Sequence, residues 1–213
     1  MRKVCIVVLP FVMLLALGTW QVFRLREKLQ IISAMRANVE ILAPKEHLRT
    51  REYKKVKILG TYRRQYFNVF AGVKGYYLLQ LFEMSDGRHV LVNRGTHSGN
   101  KEFELRGDRE NEYVNGTMYC KLDSRVKWVA ANDPGKNMWF WFDIKRMSEH
   151  IQISLERCIV WGDETAAFSH VVPNLGLKVR NDHLEYAVTW YILALVWAGG
   201  CIVFHRKRSA NEY

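Results

Sequence analysis

Formal charge is missing from two stretches of this chain, one near each end, and no other absence says as much. Catalytic signatures are missing too. There is no GxSxG or SxxK nucleophile, no Cys–His pairing, no GxGxxG, no P-loop and no HExxH. The chain therefore reads as something other than an enzyme. Cysteine is scarce, with four in 213 residues and no CxxC or Cys/His metal spacing among them. Neither a repeat nor a low-complexity tract is present, which leaves one ordinary domain as the simplest content. What remains is rich in core material: 49% hydrophobic and 13% aromatic residues support a packed interior and exclude wholesale disorder.

The formal charge of +11 and pI of 9.6 suggest nucleic acid, but the cations are scattered. They fall at Lys54–Lys55, Arg63–Arg64, Arg106, Arg109 and Lys145–Arg146, with no zinc-finger spacing, aromatic RNA-binding motif or long basic run. No nucleic acid partner is expected. Anionic lipid headgroups or an acidic face of a membrane partner suit this pattern better.

The first uncharged stretch, residues 4–23, spans roughly 20 residues, or about 30 Å as a helix, which is the thickness of a bilayer core. Such a segment has no water for its amides and must be helical. A cleaved signal peptide is the rival, with Arg2–Lys3 as its basic start and Ala16–Leu17–Gly18 as a small-residue site. The uncut anchor is favoured, because Leu25, Leu29, Ile32, Met35 and Val39 continue as an amphipathic stripe over 24–42.

The second span, 184–204, carries only Glu185 as a formal charge, at its first turn. Arg206, Lys207 and Arg208 then mark 205–213 as a basic cytoplasmic tail, although the flanking Arg24, Arg26, Lys28, Lys178 and Arg180 vote against that orientation. The expectation is a bacterial inner-membrane, multi-pass protein whose central domain is periplasmic. An anchor beginning at residue 4 leaves no room for a mitochondrial presequence.

Between the spans, residues 50–172 read as one β-rich domain. Gln65–Val73, Tyr76–Met84, His89–Asn93, Tyr113–Leu122, Trp139–Asp143 and Leu155–Trp161 are strand candidates; Tyr53 to Tyr62 fits a strand only loosely. Asp86–Gly87 predicts a hairpin turn, Asn132–Gly135 another turn, and Ile144–Ile151 has helical spacing. The fold class is thus an α+β membrane protein, two transmembrane helices bracketing one β-rich extracytoplasmic domain.

Among seven histidines, His183 stands out at the first turn of the second span. A neutral imidazole there can ligate iron, with Asp182 or Glu185 fixing its tautomer, or it can simply bond a headgroup or loop carbonyl while Asp182 caps the helix. His205, at the far end of the same helix, is about 33 Å away and cannot share its metal. Arg94 ends the apolar strand Leu91–Asn93 and can clamp a carboxylate, or serve as a salt bridge or snorkelling stem. The aromatic run Trp139–Phe142 reads as core or a membrane-facing edge. Cys5 and Cys201 sit within the apolar ends as small core residues. Cys120 and Cys158 lie in the middle domain, where two free buried thiols are favoured over a disulfide.

These residues resemble a family, the surfeit-locus cytochrome oxidase assembly factors. The likeness is carried by Leu17–Gly18–Thr19–Trp20–Gln21 with Arg24 and Lys28, then Tyr53, Val56, Gly60, Gly75–Tyr76 and Asp86–Gly87. It continues through Val90–Gly95, Asn132–Asp133–Pro134, Trp139, Asp143 and Pro173, and closes on Asn181–Ala187 with Trp190. Two positions depart from the family pattern. Thr96 and His97 stand after the Val92–Gly95 element where a Trp is usual, and Asp182 replaces a second Asn before His183.

The resemblance implies a role in maturing a haem–copper oxidase by presenting haem a to its catalytic subunit, with His183 as the ligand and Arg94 as a weak candidate propionate contact. The membrane, the oxidase catalytic subunit and the haem a synthase are the partners it implies. Its alternative is a membrane-tethered scaffold that stabilises assembly intermediates and binds no cofactor.

Overall fold

The computed structural model describes residues 2–99, 111–122, 129–163, 172, 177 and 179–210. Arg106, Arg109 and Pro173 from the sequence argument lie outside them, as do the side chains of Cys5 and Arg208. The chain divides into two units, Met1–Ile32 with Val179–Tyr213 and Ser33–Lys178.

The first unit is a pair of helices, α1 (Arg2–Arg36) and α3 (His183–Ala210). Their stretches Val7–Arg36 and His183–Lys207 are each long and apolar enough to cross a membrane. The two run antiparallel. Trp197 Nε1 donates to the Val7 carbonyl at 3.0 Å, the Thr19 and Tyr191 hydroxyls meet at 3.2 Å, and Gln21 meets His183, so partner numbers fall as α1 advances. Small residues line the contact: Ala187 and Ala194 are buried, and a Cβ on Gly18 would come within 2.9 Å of the Tyr191 ring. Close backbone approach of this kind is how apolar helices pair where no hydrophobic force separates them from their surroundings. The amphipathic continuation expected over 24–42 stops at Arg36, because Glu40–Ile41 joins a sheet instead.

The second unit is a barrel. Its strands are β1 (Glu40–Ile41), β2 (Lys55–Phe70), β3 (Tyr76–Met84), β4 (His89–His97), β5 (Glu112–Tyr119), β6 (Met138–Trp139) and β7 (Leu155–Gly162), with helix α2 (Ile144–Ile151) before β7. Pairing runs β2–β3–β4–β7–β5 and returns from β5 to β2, closing a ring of five strands. Every step of the ring is antiparallel except β4 with β7. β1 and β6 are short parallel additions to β2.

The alternation of side chains explains both faces. Even-numbered Val56, Ile58, Phe82, Val90, Val92 and Val160 fill the interior. Odd-numbered Phe67, Leu79, Leu91 and Ile159 form an outer layer. Over that layer lies α2, capped by Asp143, whose carboxylate accepts from the Arg146 amide at 3.1 Å, and it buries Ile144 and Met147. The aromatic run is held by Asn132, whose Oδ1 accepts from the Phe140 and Trp141 amides; Trp139 is core and its neighbours are half-buried.

One expectation is overturned. Cys120 and Cys158 are not free thiols but a disulfide, with Cα atoms 4.1 Å apart. They lie one step beyond the Tyr119↔Ile159 register pair of the antiparallel β5–β7 ladder, where facing side chains come close enough to bridge.

The Asp86–Gly87 turn joins β3 to β4 as the sequence predicts, with Gly87 at φ +82°. Asp86 anchors it, accepting from the Lys45 amide at 2.8 Å and from Arg88 Nε and Nη2 at 2.9 and 2.7 Å. Burial pushes the Asp86 carboxyl up, but the bonds from Arg88 and Lys45 outweigh it and hold the group at about 2, below the ordinary 3.8. A carboxylate depressed in the folded state stabilises it above the unfolded value and loses that contribution as pH falls through the folded one. The wild type is expected to lose stability between pH 3.8 and about 2. Urea melts of Asp86→Asn across that window should be flatter with pH than those of the wild type.

Candidate functional site

His183 opens α3 and is half-buried. Its Nδ1 lies 2.7 Å from Gln21 Oε1 on α1, a contact across 162 residues of sequence. An amide oxygen only accepts, so Nδ1 carries the proton, and in the neutral ring the lone pair is on Nε2. Among the described residues Nε2 has no hydrogen-bond partner.

The carboxylates expected to orient this ring do something else. Asp182 takes a bond from Arg180, while its carbonyl accepts from the Tyr186 amide at 3.3 Å as the helix begins. Glu185 is exposed, and its carbonyl accepts from the Thr189 hydroxyl. The negative charge introduced at Asp182 is therefore matched locally by Arg180. Gln21 was part of the sequence likeness but carried no role in it, because nothing local links positions 21 and 183.

Arg94 is 5% exposed, and its guanidinium carbon sits 3.9 Å from the centre of the Tyr62 ring. Burial pushes the Tyr62 phenol up to about 12, against a smaller opposing pull from Arg94. This is a cation stacked on an aromatic face and buried within the barrel unit. His97, at the departure after Gly95, is equally enclosed. It accepts from the Gly99 amide at Nδ1, so Nε2–H donates to Asn68 Oδ1 at 3.0 Å, and the ring stacks on Tyr76. Burial pushes its imidazole down, towards the neutral form. The structure brings neither residue into His183's hydrogen bonding.

An open cavity of about 610 Å³ lies in the barrel unit, lined in part by Lys45, Arg49, Arg88 and Arg157. Its two acids are already engaged, Glu46 with Arg51 and Glu156 with Arg88. No motif in the sequence marked it.

The donor set at His183 fits a metal that brings most of its own ligands. A neutral imidazole protonated on Nδ1 would supply it one nitrogen, Nε2. Among the described residues no group of three or more His, Cys, Asp or Glu could cage a bare ion.

A model of the SURF1 family matches residues 8–195, which takes in Gln21, Arg94 and His183. The chain belongs to the SURF1 family. A SURF1-like protein of Rickettsia felis is 31% identical over 97% of this chain and 98% of its own length. One from Rickettsia conorii is 30% identical over 100% of this chain and 95% of its own. Similarity reaches the human surfeit locus protein 1, at 28% identity over 84% of this chain and 69% of that protein. Both the Gln21 and the His183 positions of this SURF1-family chain thus fall within the family's matched stretch, on the two helices that pair in the first unit.

Proposed function

We propose that this chain is a membrane-anchored, non-catalytic assembly factor for a haem–copper cytochrome c oxidase, presenting haem a to the catalytic subunit. The observation that carries the reading is the His183 imidazole, oriented through Nδ1 and left with a lone pair on Nε2 at the first turn of an apolar helix. Membership of the SURF1 family supports the oxidase role that the sequence likeness implies.

When bound, haem a supplies an iron centre that accepts an imidazole nitrogen, an isoprenoid tail suited to lipid and propionates suited to water. His183 stands at the end of a span, where both surroundings are in reach. Two membrane-long helices and the basic Arg206–Lys207 tail support anchoring in a bacterial inner membrane, with the residues between the spans in the periplasm.

The test is the absorption spectrum of the detergent-solubilised protein purified from cells that make haem a. Haem bands co-purifying with the wild type are expected. Colourless protein that still captures the oxidase catalytic subunit would overturn presentation and select the scaffold.

A further inference from the structure

We infer that Gln21 of α1 is a positioning residue for the His183 ligand, setting which ring nitrogen is offered and how firmly it binds; this rests on the presentation reading above.

Three observations converge on it. First, Gln21 is 9% exposed within the uncharged stretch of α1, and a buried amide is costly unless its polar atoms are bonded. The bond its oxygen makes is the one to His183. Second, that bond decides the tautomer. Free imidazole side chains favour the proton on Nε2, the form in which the outward nitrogen cannot ligate. Accepting from Nδ1–H inverts this preference and leaves Nε2 ready. Third, the nearby carboxylate that would normally take this place is diverted, since Asp182 is bonded to Arg180.

The partner's chemistry matters as much as its position. A carboxylate behind a ligating histidine raises the basicity of the ligand and tightens the metal bond. An uncharged amide fixes the same tautomer and adds much less basicity. Gln21 therefore presents the correct nitrogen while keeping the bond weak, which is what a carrier that must release its cargo requires. Because Gln21 belongs to α1 and His183 to α3, the ligand is complete only while the two helices are paired, and α1 is a part of the site as well as an anchor.

The experiment has two readouts. Nitrogen-15 NMR of histidine-labelled protein in detergent, without haem, reports the His183 tautomer, the signal being assigned by its loss in His183→Asn. Wild type should show the Nδ1–H form, Gln21→Leu should move towards Nε2–H, and Gln21→Glu should restore Nδ1–H. Haemin titration should then show binding weakened by about 10–100-fold in Gln21→Leu. Haemin release should be slower than wild type in Gln21→Glu. An Nε2–H tautomer in the wild type, or an unchanged tautomer in Gln21→Leu, overturns the inference. So does a Gln21→Glu variant that releases haemin as fast as the wild type. If the wild type takes no haemin, presentation falls, while the tautomer measurement still decides whether Gln21 orients the ring. Helical circular dichroism of both variants separates a lost bond from lost folding.

Discussion

His183→Ala is expected to give a folded but colourless protein from cells in which the wild type carries haem. The substitution removes the nitrogen whose lone pair is offered, and the described residues hold no cluster of three or more metal-binding side chains to take over. It also strips Gln21 Oε1 of its donor, and a buried acceptor left unsatisfied costs about 1–3 kcal/mol. Loss of colour could then reflect loosened helices and not a lost ligand. His183→Asn separates the two, because its amide can still donate to Gln21 but offers iron no imidazole. Both variants should lose the haem bands, and His183→Asn should keep the wild-type melting temperature. His205→Ala, at the other end of α3, should keep the colour. Retention of the bands in His183→Asn would remove His183 as ligand.

The largest effect on folding is expected at Gly60. Here β2 pairs on both sides at once, with Met84 of β3 and Glu112 of β5, so backbone presses in from two directions. A Cβ would lie 2.0 Å from the Glu83 carbonyl oxygen and 2.7 Å from the Phe82 ring. The oxygen belongs to the barrel wall and cannot swing aside as a flexible side chain would. Overpacking of a well-packed site costs about 1–3 kcal/mol for modest additions. Gly60→Ala should therefore melt well below the wild type, and Gly60→Val should yield no folded barrel by near-ultraviolet circular dichroism. Gly135→Ala is the matched control, since its Cβ would meet a side-chain oxygen of Asp133 at an ordinary 3.5 Å. Wild-type melting of Gly60→Val would show that β2 does not cross the barrel as described.

What could be read from the chain was local. β3 and α2 fall at the residues expected, and the Asp86–Gly87 turn joins its two strands, because alternation, helical spacing and glycine's tolerance of positive φ are encoded within a few residues. β2 was seen only in halves. Its interior side chains are even-numbered Val56, Ile58 and Tyr62, whereas its later apolar residues Phe67 and Val69 are odd and belong to the outer layer. Between the halves, Arg63–Gln65 bulge out of register with β3 and hide the continuity. Ring closure and the Cys120–Cys158 bridge depend on which strands become neighbours, a choice no window of sequence displays. The site divides the same way: His183 was visible at the start of an apolar run, while its partner 162 residues earlier was not.

The order in which the ring is assembled has a consequence for biosynthesis. β4 and β5 each need β7, and β7 is the last strand among the described residues. Until residue 162 has left the ribosome, both keep a row of unsatisfied amides and carbonyls open to any neighbouring polypeptide. A premature stop before Leu155 thus produces no smaller working version of the domain, only a sticky fragment for quality control to remove.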